Sequence, residues 1–204
     1  MLLSRHIAAG DVVLECSDAI AELASSLLDT LIELDRKGPP LVDGSKVQFG
    51  WSMLTLQAQD SRLQVCEPDF LGDISGVRPN ADITLAVLKE QVSALHAAGE
   101  EGVDVSYRNW VAVAQGCLQT ADLFLKRDPP LSGEDSGWFV GRLEDLEAGK
   151  SAEVQAMHVY EVFRLRPRLV NVMALPPGYL VIFRGDSVRA LLDKDLHVRW
   201  GAYP

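Results

Sequence analysis

Asp135-Ser136-Gly137 is the stretch that most invites a chemical reading. A serine becomes a nucleophile when a histidine can take its proton and a carboxylate holds that histidine in place. The surrounding Gly133-Glu134-Asp135-Ser136-Gly137 is not the GxSxG of a hydrolase nucleophile elbow, and no histidine signature accompanies it. A turn explains the residues better: Asp135 can accept the N–H two residues on, and Gly137 can take positive φ. Glu67 and Asp69, flanking Pro68, are a second carboxylate pair. Acid/base work would require them to face one cleft with separated pKa values, which proximity in sequence does not imply. Their expected place is a solvated strand end. Arg164, Arg166 and Arg168 alternate with Leu165 and Pro167 and could bind an anion. The plainer expectation is basic decoration at a helix junction, set against an acidic first half.

Metal and cofactor chemistry find little material. His6, His96, His158 and His197 have no second His or Cys three or four residues away, and no CxxC occurs. There is neither a GxxxxGK[ST] loop nor a GxGxxG turn. The expectation is therefore no metal, no cofactor and no catalysis. Cys16, Cys66 and Cys117 lie in apolar surroundings 50 and 51 residues apart, and are read as free, buried thiols in a reducing compartment.

The elements that would position these groups follow from periodicity. Val12-Val13-Leu14 is the apolar piece of an irregular or strand-like lead. Ile20, Leu23, Ala24, Leu27, Leu28, Leu31 and Leu34 form a helical stripe, capped at Ser17 or Asp18 and stopped by Gly38-Pro39-Pro40. Val47–Gln57 and Leu63–Cys66 read as two strands around an Asp60-Ser61 turn, and residues 71–80 as a loop. A second helix runs from Asn80 or Asp82 to Gly99, with Ala81, Leu85, Leu88, Val92 and Leu95 on its apolar face. Strands are expected at Trp110–Ala114, Ala121–Lys126, Gly137–Gly141, Tyr179–Phe183 and Val188–Leu192. A helix is expected at His158–Leu165, and another begins at Pro167. Strands and helices mix without strict alternation, which indicates an α+β fold with mainly antiparallel sheets and flanking helices. Gly99-Glu100-Glu101-Gly102 is the expected boundary between an N-terminal lobe, 1–101, and a C-terminal lobe, 102–204.

The chain of 204 residues is long enough to bury a sizeable core. Its net charge is −10, and it is uneven: residues 1–150 carry 24 acidic and 12 basic side chains, residues 151–204 carry 5 and 7. That field repels nucleic acid and favours encounter with a basic partner. No apolar run is long enough to span a bilayer, and Asp11 and Glu15 interrupt any leader-like start. The expected compartment is the cytoplasm.

Several segments are familiar together. Phe49-Gly50-Trp51-Ser52, Val65-Cys66-Glu67-Pro68-Asp69-Phe70 and Thr84–Gln91 precede Val113-Ala114-Gln115-Gly116-Cys117-Leu118. Asp135–Gly141 and Leu175-Pro176-Pro177-Gly178-Tyr179–Phe183 follow. In this order they resemble the bacterial immunity protein thirty-three domain family, most strongly from the Asp-Ser-Gly-Trp segment to the Pro-Pro-Gly-Tyr strand. The earlier segments resemble longer members, and the helix at 18–37 lies outside the resemblance. The resemblance implies a protein of polymorphic toxin systems that protects its producer by binding a cognate toxin, without catalysis. Occlusion requires a surface with aromatic anchors and complementary charge. Trp51, Trp110, Trp138 and Trp200 are candidate anchors, Trp51 and Trp138 being better suited to the core. Asp128, Glu134 and Asp135 form a loop that could imitate phosphate toward a basic toxin. The candidate partner-binding set is thus Asp128, Glu134, Asp135, Trp110, Glu67 and Asp69. The competing readings are a non-catalytic adaptor, an enzyme with an acidic cleft, and a homodimer joined through an apolar patch.

Overall fold

The computed structural model describes residues 1–149 and 152–203. They form helices and two mixed, mostly antiparallel open sheets, an α+β fold as expected. The chain divides into two compact units, Met1–Lys89 and Glu90–Pro204. That division falls inside a helix, whereas Gly99, with φ +71°, directly follows it.

In the first unit the lead segment is a hairpin, β1 (Leu2–Ile7) and β2 (Gly10–Glu15). After a 3-10 turn at Asp18–Ile20, α1 (Ala21–Lys37) buries Ala24, Leu27, Leu28 and Leu31. Each fully buried leucine contributes roughly 1.5–3 kcal/mol. Leu34 is exposed, and neither Ser17 nor Asp18 caps α1: the 3-10 turn intervenes, and Ser17 makes no side-chain cap bond. The expected strand Val47–Gln57 is two strands, β3 (Lys46–Phe49) and β4 (Ser52–Gln59), reversed at Gly50-Trp51. Apolar Trp51 sits in that turn because its ring folds inward, stacks on Phe70 at 4.5 Å and donates Nε1–H to Thr84 O. β5 (Arg62–Pro68) pairs antiparallel with β4 and parallel with β2, giving the order β1-β2-β5-β4-β3. β6 (Val77–Arg78) pairs with the end of β5, so the loop at 71–80 contains a short strand.

The helix α2 (Asp82–Ala98) begins in the first unit. Its expected apolar face holds at Ala81 and Leu85, which are buried, and in part at Leu88 and Leu95, but Val92 is exposed, while Thr84, Val87 and Gln91 are buried. Gln91 goes inside because its amide donates to Val170 O at 3.0 Å, satisfying a polar group that apolar periodicity cannot register.

The second unit contains β7 (Trp110–Ala114), β8 (Asp122–Arg127), β9 (Asp135–Arg142), α3 (Leu143–Glu147) and β10 (Val154–His158). α4 (Val159–Leu165), α5 (Pro167–Val170), β11 (Leu180–Arg184), β12 (Ser187–Leu192) and β13 (Val198–Gly201) complete it. The sheet order is β10-β7-β9-β8-β11-β12-β13, with β7–β9 the parallel pair. Leu143 and Leu146 of α3 pack on Phe124 and Phe139 on one face. Buried on the opposite side of β8 is Arg127, 1% exposed. Its guanidinium donates to the carbonyls of Ser136, Val103, Asp104, Met173 and Leu175. Burial lowers its pKa to about 10. All three cysteines are free and buried, and burial raises the Cys66 thiol to about 11. No helix among the described residues is long and apolar enough to cross a membrane.

Candidate functional site

The parallel pairing of β7 with β9 sets Trp110 opposite Asp135, and Trp110 N–H donates to Glu134 O at 2.7 Å. The loop 128–134 is thereby held against the start of β7. Asp135 shapes that loop from within. Its Oδ1 accepts Gly137 N–H and its Oδ2 accepts Leu131 N–H, both at 2.9 Å. Gly137 has φ +74°. This is the turn expected from Asp-Ser-Gly. Ser136 is buried; its hydroxyl donates to Trp110 O at 2.6 Å and accepts Trp138 N–H. The serine thus ties β7 to β9.

The pairing of β10 with β7 places His158 opposite Trp110. Their rings stack with centroids 3.6 Å apart, His158 stacks in turn on Tyr160 at 5.3 Å, and the Arg164 guanidinium lies 5.1 Å from the Tyr160 centroid. Nδ1 of His158 donates to Arg108 O at 2.7 Å, which fixes the ring's orientation. The result is a ladder of three rings beneath a cation, with Trp110 39% exposed. In the loop that Asp135 shapes, Leu131 is 95% exposed.

The six residues expected from sequence to bind a partner are not one cluster. Trp110, Asp128, Glu134 and Asp135 come together around this loop. Of the three carboxylates, Asp135 is committed to backbone N–H groups and Asp128 pairs with Lys126 at 2.9 Å. Of the three, Glu134 alone has a carboxylate with no hydrogen bond or ion pair among the described residues. Glu67 and Asp69 belong to the first unit. Glu67 is 1% exposed, so the solvated strand end expected for it is incorrect. Its carboxylate accepts Thr84 N–H at 2.7 Å and Ile83 N–H at 3.2 Å, capping α2 where unpaired N–H groups converge. Burial nevertheless raises its pKa to about 7. Asp69 accepts Gly72 N–H and lies 3.6 Å from Arg78.

Of the four tryptophans, Trp51 and Trp138 are core residues, 1% exposed; Trp110 and Trp200 reach the surface. Arg166 is neither an anion site nor a partner of the acidic first half. It donates to the carbonyls of Leu118, Thr120 and Gly185 and pairs with Asp186. What the sequence reading missed is the His158–Tyr160 part of the ladder. His158, Tyr160 and Arg164 recur two and four residues apart, but the strand-to-helix change at Val159 hides their shared direction. Asp193, Asp195 and His197 bring potential metal ligands within 4.8 Å of one another. Asp193 Oδ1 already accepts the N–H groups of Asp195 and His197, which makes it the organiser of a turn.

No curated protein and no solved structure matches this chain. The Imm33-like domain matches residues 90–194, starting at the first residue of the second unit and running through β12. The segments before residue 90 that carried part of the resemblance lie outside this match. The loop, the aromatic ladder and six of the seven strands of the sheet that carries them lie within it, and the chain belongs to the Imm33-like domain family.

Proposed function

We propose that this protein is an immunity protein that binds a cognate bacterial toxin and neutralises it by occlusion, without chemistry of its own. The observation that carries the reading is the Trp110–His158–Tyr160 ladder, whose Trp110 is exposed and bonded to the backbone of Glu134, in the family-matched unit. A ring stack held by backbone bonds loses little freedom on binding, which suits it to anchor an interface. Glu134 and the net charge of −10 favour a basic partner.

The test is capture of partners from the native cell lysate by the tagged protein, followed by co-expression of each retained protein with and without it. A retained protein that arrests growth alone and not in its presence is the expected result. Trp110→Ala should then weaken binding by about 2 kcal/mol or more. Glu134→Lys should slow association and reduce its dependence on salt. If no retained protein is toxic, the reading fails.

A further inference from the structure

The edges of the two sheets differ in a way that bears on binding. β1 carries Arg5, β3 carries Lys46, and β13 carries Arg199 beside a register shift. Charges and irregularities of this kind blunt an edge against another strand. β10, Val-Gln-Ala-Met-His, has no Lys, Arg, Asp, Glu, Gly or Pro, and its register with β7 is unbroken from Val154 to His158. Val154 is 55% exposed, and Gln155 and Ala156 are exposed as well.

The hydrogen-bond phase of this edge follows from one bond. Gln115 N–H donates to Glu153 O at 2.8 Å, so residue 153 points its backbone at β7. In an antiparallel ladder the direction alternates, so Gln155 and Met157 also face β7, while Val154, Ala156 and His158 face away. The N–H of His158 is taken by Glu161 Oε2 at 2.7 Å. Those of Val154 and Ala156 have no partner among the described residues, nor do their carbonyls. These two residues present alternating donors and acceptors at strand spacing, a pattern complementary to extended backbone. Val154, Ala156 and His158 share one sheet face with Ala114, Ala112 and Trp110. A strand added here would run along the Val154–Ala114 and Ala156–Ala112 pairs and end at the Trp110–His158 stack.

We propose that the outer edge of β10 is a pairing site for one extended, uncharged segment of a partner protein, which adds an eighth strand to the sheet. This rests on the preceding reading only in taking the chain to work by binding protein. A second copy is the less suitable occupant, because it brings another net charge of −10 to the contact.

The probe is a random twelve-residue peptide library displayed on phage, panned on the full-length protein with Ala156→Pro as counter-selector. Proline at an outward-facing edge position keeps the pairing with β7 but removes the donor a new strand needs. Enriched peptides should alternate β-branched or aromatic residues with polar ones. Folded Ala156→Pro should bind them roughly tenfold to a hundredfold more weakly. On the wild type, hydrogen exchange with a synthetic copy of an enriched peptide should add protection at Val154 and Ala156 but not at Gln155 or Met157, a readout that needs no variant. Failure to enrich any peptide, equal binding by folded Ala156→Pro, or protection confined elsewhere would overturn the proposal. So would a wild-type dimer that Ala156→Pro converts to monomer in sedimentation, since a second copy would then hold the edge. If Ala156→Pro still neutralises a captured toxin at full strength, the edge proposal falls and the immunity reading stands. If peptides pair as described but no captured protein is toxic, the reverse holds.

Discussion

At the scale of single residues, the groups that looked most chemical are the ones most engaged in structure. Gly137 shows this in its geometry: with φ +74°, an added Cβ would lie 2.1 Å from Asp128 O. Gly137→Ala is therefore expected to cost on the order of 2 kcal/mol or more, measurable as a lower denaturation midpoint. Glu67 carries the clearest pH signature. Its pKa rises from 4.5 to about 7 on folding, because burial outweighs the two N–H bonds it accepts. A raised pKa means the folded state binds the proton more tightly than the unfolded chain. Its contribution is therefore full below about pH 4.5 and is lost as pH rises through about 7. Wild-type stability should fall by up to about 3 kcal/mol across that window relative to Glu67→Gln, whose profile should be flat there. Urea titrations at several pH values check this. The Asp135–Gly137 turn was legible because its donor and acceptor are two residues apart. The role of Glu67 was not, since its partners are 16 and 17 residues away.

At the scale of elements, legibility follows burial. α1, β5, β7 and β11 each show an apolar face in sequence because one face or both are buried. β13 has four exposed residues and β10 only partial cover, so neither carries a period-two pattern, and both escaped sequence reading. The same exposure makes β10 available for pairing. α3 escaped because its five residues give one turn, too short for periodicity, and its two leucines reach only Phe124 and Phe139. The candidate site was half legible. Trp110 and the acidic loop stood out by residue type, but the β10–β7 register that brings in His158 could not be read without β10. The ladder should itself hold β10 in place: His158→Ala is expected to speed amide exchange at Met157, which β7 protects, with the rest of the sheet unchanged.

At the scale of the whole chain, the unit division inside α2 makes a prediction about fragments. Within the second unit, Gln91 donates to Val170 O, Arg199 to Ala98 O, and Tyr179 to Glu100. A fragment beginning at residue 82 keeps all three bonds and one beginning at residue 102 keeps none. The first is expected to melt cooperatively, and the second to lose its near-ultraviolet circular dichroism. The 1–101 and 102–204 lobes remain a proposal that this comparison decides. The charge of −10 also belongs to this scale, since it governs how fast a basic partner arrives more than how long it stays.

Arg127 has a further consequence. It acts as a cation built into the chain and solvated by peptide oxygens from three separate segments. Every residue type supplies such an oxygen, so substitutions in those segments leave the coordination chemistry intact, whereas Arg127 itself cannot change. Lysine has a single nitrogen and could not span the same oxygens. One buried guanidinium thus makes the frame tolerant of side-chain changes in the segments around it and intolerant of a change at its own position.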